Sequence, residues 1–342
     1  MTSDAVAGPA RGSMSEEQIG RWREVMDGVA GMLPDGAVCV VVDGGRYAGV
    51  FAERLADRLR ADGRGCAWPH TGGGAVSERI PETVMLAAGN EWRARPPAGG
   101  WDVVIWLRTH RGGGDEENNA DIVIDLYDPS WPVIRHAALH LAGRGNWFIA
   151  ESRAFFGPRA ATWDAKFGDD MPAYAAAVEE AAIPAVANVV DVGCGTGRAL
   201  PALREAAGPA GRVVGVDITP QMLDVARSTG RAHDAVLVLA DARRLPFSDA
   251  RFDAVFAAGL VPHMPDPAAG LAELARITRP GGRLIVFHPS GRAALAARHG
   301  RTLQPDEPLA RGPLGRLTAA AGWRLDSYDD PPHRFLALAT RC

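Results

Sequence analysis

Three carboxylates and a run of alternating glycines carry the most chemistry in this sequence. Asp191 is followed by Gly193, Gly195 and Gly197 at every second position, with Cys194 between the first two. Asp217 comes 20 positions after Gly197, and Asp241 closes the next apolar run. A turn free of Cβ atoms lets a ligand approach the main chain and tolerates φ > 0. Carboxylates at these distances suit the hydroxyls and amines of a nucleotide-like ligand. His263 and His288 follow later apolar runs, where a base could serve a hydroxyl or amine substrate. Earlier in the chain, Gly44-x-x-x-x-Gly49 has the outline of a phosphate loop. The next two positions should hold a lysine for the phosphates and a hydroxyl for magnesium, but they are Val50 and Phe51. No histidine–carboxylate spacing suggests a metal.

Positioning these groups requires strands that end where the groups begin. Val189 and Val190 run into Asp191, and a helical pattern opens after Gly197, so a buried strand, a tight turn and a helix are expected there. Further strands are expected at Arg212–Asp217, Ala235–Ala240, Phe252–Phe256 and Leu284–His288. Helices over 290–299 and 313–321 then lead to a closing antiparallel pair at 323–328 and 334–340. A dinucleotide-binding turn of the G-x-G-x-x-G kind is excluded, because its third glycine slot holds Arg198.

In order and spacing these motifs resemble the class I S-adenosylmethionine-dependent methyltransferases, over roughly residues 150 to 342. Arg279-Pro280-Gly281-Gly282-Arg283, before the fifth strand, adds to the likeness. The resemblance implies a Rossmann-like seven-stranded α/β fold and S-adenosyl-L-methionine as cofactor. It places Asp191, Gly193, Cys194, Gly195 and Gly197 at the methionine portion, and Asp217 with Ile218 at the ribose. Asp241 and Ala242 would lie at the adenine, with Ala258 at the end of the fourth strand. Methyltransferases of this class carry a helical cap before the first strand. Here the aromatic lead supplies Trp163, Phe167 and Tyr174 as pocket-lining candidates, and Phe155 and Phe156 as core. His263 and His288 are the candidate catalytic bases.

The first half resembles, more weakly, a nucleoside kinase of the uridine-kinase kind that has lost its phosphate machinery. Ser15 and Gln18 form a capping-box pattern for an amphipathic helix to about Leu33. Ala37–Asp43 reads as a buried strand, Val50–Leu59 as a helix, and Asp102–Trp106 and Asp121–Asp125 as further strands. Residues 108–119, with Gly112–Gly114 and Asp115–Glu117, occupy the place of a kinase lid. The rival reading is an ordinary α/β domain whose glycines turn corners.

Three segments are therefore expected: a flexible lead over 1–14, a degenerate P-loop-kinase-like α/β domain over 15–145, and a methyltransferase domain over 146–342. At 342 residues each half can bury its own core. The net charge of -4 gives no basic field for nucleic acid. No apolar run is long enough to span a membrane, no secretory signal is evident, and the four cysteines are scattered. A cytoplasmic enzyme transferring a methyl group to a small molecule is expected, with the acceptor atom and oligomeric state open. The alternatives are a methyltransferase acting on protein or RNA, with the first half as a docking module, and a non-catalytic cofactor-binding protein.

Overall fold

The computed structural model describes residues 14–69, 79–109, 119–142, 147–166 and 168–342, without the Lys166 side chain. The expected flexible lead up to Ser13, the lid-like residues 110–118 and Phe167 lie outside these residues. The chain divides into two compact units, Met1–Glu151 and Ser152–Cys342. The break falls beyond the glycines that suggested a boundary near 145. Glu151 belongs to the first unit because it accepts hydrogen bonds from the buried Arg21 guanidinium and from Ile134 N–H.

The first unit holds a six-stranded sheet of β1 (Val38–Asp43), β2 (Gly65–Ala67), β3 (Thr83–Ala88), β4 (Val103–Arg108), β5 (Ile122–Asp125) and β6 (Val133–Ala137). Its order is β2-β3-β1-β4-β5-β6, and only β6 runs antiparallel. The capping box forms as expected, Ser15 and Gln18 satisfying each other's main-chain N–H at the start of helix Glu16–Met32. That helix and helix Ala48–Ala61 lay Trp22, Val25, Val29, Phe51, Leu55 and Leu59 on one face of the sheet. Side chains alternate along a strand, so Val40 and Val42 face this core. Asp43 and Trp106, register partners in β1 and β4, share the opposite parity.

The second unit holds a seven-stranded sheet of β7 (Asn188–Val192), β8 (Arg212–Asp217), β9 (Val236–Leu239), β10 (Phe252–Ala258), β11 (Thr278–His288), β12 (Trp323–Asp329) and β13 (Phe335–Arg341). The order is β12-β13-β11-β10-β7-β8-β9, with β13 alone reversed against its neighbours. Both faces are covered, as a largely parallel sheet requires. Val190, Val192, Val255 and Leu284 supply one core; Val189, Phe256, Ile285 and Phe287 supply the other. The chain winds from β7 out to β8 and β9, then returns past β7 to β10. The crevice beyond the carboxyl ends of β7 and β10 is thus the topological switch point, where open α/β sheets bind ligands.

Candidate cofactor-binding site

Asp191 sits in the central strand, level with Gly215 of β8 and Phe256 of β10. It is buried, and its Oδ1 has no hydrogen-bond partner. Burial, helped by the neighbouring Asp217 charge, pushes its carboxyl up to about 8. Immediately after β7 the turn is pinned to β8, since Gly193 and Cys194 both donate their N–H to the Val216 carbonyl, at 2.8 and 2.9 Å. Gly195 has φ +52, and a Cβ built there meets nothing within 4 Å. Its conformation favours glycine, and the space beside it is open for a ligand. Gly197 packs against Ala226 and Leu200 where the helical segment begins.

Asp217 ends β8 and spans the turn: its Oδ2 accepts from Gly195 N–H at 2.9 Å, its Oδ1 from Thr219 N–H at 2.8 Å. Burial pushes its carboxyl up, opposed by these N–H bonds. The Thr219 hydroxyl is buried beside this carboxylate and also holds its pKa down. Ile218 is half-buried, and its carbonyl accepts from Arg153 Nε at 2.8 Å. Cys194 is a buried free thiol whose pKa burial lifts well above the ordinary value, so it packs rather than reacts. Asp241 lies just past β9, clamped by Arg243 through Nε at 3.0 and 3.1 Å and Nη2 at 2.7 Å. Ala242 is packed beside the core, and Ala258 closes β10.

The aromatic lead is arranged differently from its sequence reading. Phe155 and Phe156 were expected in the core, but both are only partly buried. Phe156 stands edge-on to Trp163 at 5.4 Å and to His263 at 5.6 Å. Tyr174, a pocket-lining candidate, lays its ring on the core rings Phe287 and Phe256, at 4.9 and 6.3 Å, while its hydroxyl lies in the field of Asp170, Arg198 and Asp191. The reason is geometric: the 3-10 turns Gly157–Thr162 and Asp164–Lys166 separate the two groups, so no single helical period relates them.

The two histidines occupy different settings. His263 ends the 3-10 turn Val261–His263 and is exposed, with Phe156 against its ring. His288 ends β11, and its Nδ1 lies 3.1 Å from Ser290 N and 3.0 Å from Ser290 O. Nε2 is therefore its nitrogen available for chemistry. Burial lowers its pKa, partly offset by Ser290, so the ring is neutral at physiological pH. It borders a narrow, mainly apolar recess with Leu260, Val286, Leu295, Leu309 and Arg292.

Sequence reasoning missed Arg243, and it also missed Arg198 and Arg231, which bind Asp164 and Asp170. Arg198 drew notice only for breaking a glycine pattern. The acids Asp164 and Asp170 in the lead were the available signal for what it binds.

In the first unit Gly44 has φ +108, and a Cβ there would lie 2.2 Å from the Leu107 carbonyl oxygen. Glycine is required by this approach of the loop to β4. Phe51 is fully buried, its ring 6.0 Å from that of Trp22. The position where a metal-binding hydroxyl would stand therefore faces the core. Asp43 accepts from Gly44 N–H at 2.7 Å, and Asp125 Oδ2 is buried without a partner. Among the described residues no group of three histidines, cysteines or acids could hold a metal.

Residues 190–286 match the model of a family described as a methyltransferase domain. The match lies wholly within the second unit. An O-methyltransferase of Penicillium expansum is 36% identical over 156 residues, spanning 42% of this chain and 54% of that protein. A demethylmenaquinone methyltransferase of Deinococcus radiodurans is 42% identical over 114 residues, spanning 33% and 47%. The chain thus spans about half the length, or less, of these curated relatives. Among solved structures, magnesium protoporphyrin IX methyltransferase from Synechocystis is similar over 57% of this chain and all of that one, at 17% identity and TM-score 0.45.

The cofactor of S-adenosylmethionine-dependent methyltransferases offers an ammonium, a ribose diol and an adenine amine. The second unit has donors and acceptors that fit these groups. Asp191 keeps an unpartnered carboxyl oxygen inside the sheet crevice, and Gly195 leaves room for close approach. Asp217 is fixed in orientation by two main-chain N–H groups.

Proposed function

We propose that the second unit binds S-adenosyl-L-methionine at the Gly193–Gly197 turn and transfers its methyl group to a small-molecule acceptor. The observation that carries this reading is the buried Asp191, with an open carboxyl oxygen, at the switch point of a seven-stranded sheet with one reversed strand. When bound, the cofactor supplies an electrophilic methyl on a sulfonium, so the protein's contribution is placement. Asp191 takes the ammonium, Asp217 the ribose hydroxyls, and Asp241, freed from Arg243, the adenine amine. Ile218, Ala242 and Ala258 pack along the cofactor, with Trp163 at its outer edge. His288 or His263 accepts the proton of a hydroxyl or amine acceptor; a carbon acceptor is equally compatible with the site. Relatives named for small-molecule methylation, including a demethylmenaquinone methyltransferase, support a small acceptor.

The first unit, in this reading, binds or scaffolds substrate without transferring phosphate. Its order places the Gly44 turn at the β1–β4 switch point, which supports ligand binding there. Val50 and the core-facing Phe51 leave no phosphate lysine or magnesium hydroxyl. The test is incubation with methyl-labelled cofactor and a fractionated extract of the source organism. Label in small metabolites supports the reading. Label in protein or RNA overturns it and makes the first unit a docking module.

A further inference from the structure

We propose that Asp164, Arg198 and Arg231 are positioning residues that hold the segment ahead of the methyltransferase fold against the glycine turn and thereby set cofactor affinity. The inference rests on the reading of that turn as the cofactor site. Asp164 follows Trp163 directly. Its carboxylate accepts from Thr196 Oγ1 at 2.6 Å and from Arg231 Nη1 at 2.5 Å, and lies 3.4 Å from Arg198 Nε. Although burial opposes it, the bonds from Thr196 and Arg231 hold this carboxyl below its usual range. Arg231 Nη1 also donates to the Thr196 carbonyl at 3.1 Å.

Arg198, the first residue after Gly197, is only 6% exposed. Its Nη1 donates to Asp170 Oδ2 at 2.6 Å, and its Nη2 to the carbonyls of Gly168 at 3.1 Å and Asp164 at 3.5 Å. Thr196 of the turn and Arg198 just after it therefore grip Asp164 on one side and Gly168 and Asp170 on the other. Arg231, beyond helix Pro220–Ser228, reinforces the grip from the side. Partly buried bonds of this kind to charged groups resist screening better than surface pairs. None of the three side chains belongs to the sheet's hydrophobic clusters.

A segment held in place before binding spares the ligand the free energy of ordering it. If release leaves the competent arrangement a tenth as populated, the apparent dissociation constant rises about tenfold. These residues act through Trp163 and the turn, and touch no reacting atom.

The test is calorimetric titration of S-adenosylhomocysteine into the full chain, wild type first. Absence of wild-type binding would overturn the cofactor-site reading itself. Given wild-type binding, Asp164→Asn and Arg231→Gln should each weaken affinity about tenfold and speed dissociation, with the ligand-free melting temperature nearly unchanged. Arg231→Lys, which keeps a cationic donor beside Asp164 and the Thr196 carbonyl, should recover most of the affinity. Single variants that bind within twofold of wild type would overturn the inference. So would losses that track a fallen melting temperature, or that Arg231→Lys shares in full with Arg231→Gln.

Discussion

Replacing Asp191 by Asn removes a carboxyl that the folded chain buries and that titrates far from its ordinary range. Burial, with Asp217 alongside, places its folded pKa at about 8, against an ordinary aspartate value of about 3.9. Below about pH 4 the group is neutral whether folded or unfolded, and nothing is lost. As pH rises from there toward 8, the unfolded chain releases the proton while the folded chain keeps it. Folded stability falls by about 1.4 kcal/mol per pH unit over that window and levels off once the folded carboxyl also ionises. Between about pH 5 and 8 the wild type should therefore lose roughly 4 kcal/mol relative to the Asn variant, which has nothing to titrate there. Urea unfolding of both full chains across about pH 5 to 9 measures the difference, and other titrating groups cancel in the comparison. A difference that stays flat between pH 5 and 8 would show Asp191 ionised in the folded chain, refuting this account of its burial. The same variant should bind S-adenosylhomocysteine more weakly, because the carboxyl can give up its proton to pair with an ammonium and an amide cannot.

Gly44→Ala forces a Cβ against the Leu107 main chain at positive φ. It should destabilise the first unit by roughly 2–4 kcal/mol, visible as a lowered melting transition. The pair Val50→Lys with Phe51→Thr should yield no ATP hydrolysis and should destabilise, since Phe51 fills the core beside Trp22 and emptying such a site costs about 3–5 kcal/mol. ATP turnover that depends on the Gly44 loop would contradict the kinase-inactive reading. Once an acceptor is known, His288→Ala should lower kcat about 100-fold if the acceptor is a hydroxyl or amine. Its lowered pKa keeps the base neutral, so wild-type rate should hold as pH falls through about 6.5. A wild-type rate already falling through that region would contradict the lowered pKa, and an unchanged kcat in His288→Ala would remove it from the reaction. His263→Ala is the matched comparison at saturating cofactor.

Much of the second unit was legible because its strands end in turn chemistry. β8 ends where Asp217 was read as a strand end, and β7 gives way to the glycine turn as expected. The closing pair β12 and β13 forms where an antiparallel pair was expected and lies at the sheet edge beside β11. Other elements were hidden for physical reasons. Thr83–Ala88 forms β3, but its short apolar run of Val84, Met85, Leu86 and Ala87 has no strand period to distinguish it from a buried helix. β2 is three residues long and only partly buried. β11 begins at Thr278, earlier than expected, because Arg279 to Gly282 fits into the ladder as an irregularity opposite β10. The ion-pair network around Asp164 joins residues more than 60 positions apart, a relation no local pattern carries.

The central claim is that the Gly193–Gly197 turn, with Asp191 and Asp217, is an S-adenosylmethionine site. Calorimetric titration of the full chain with S-adenosylhomocysteine, beside an Asp217→Ala variant, tests it most directly. One saturable site, weakened at least tenfold in the variant, is the expected result, since the ribose hydroxyls would lose a charged acceptor. No binding by the wild type, or equal binding by the variant, would contradict it.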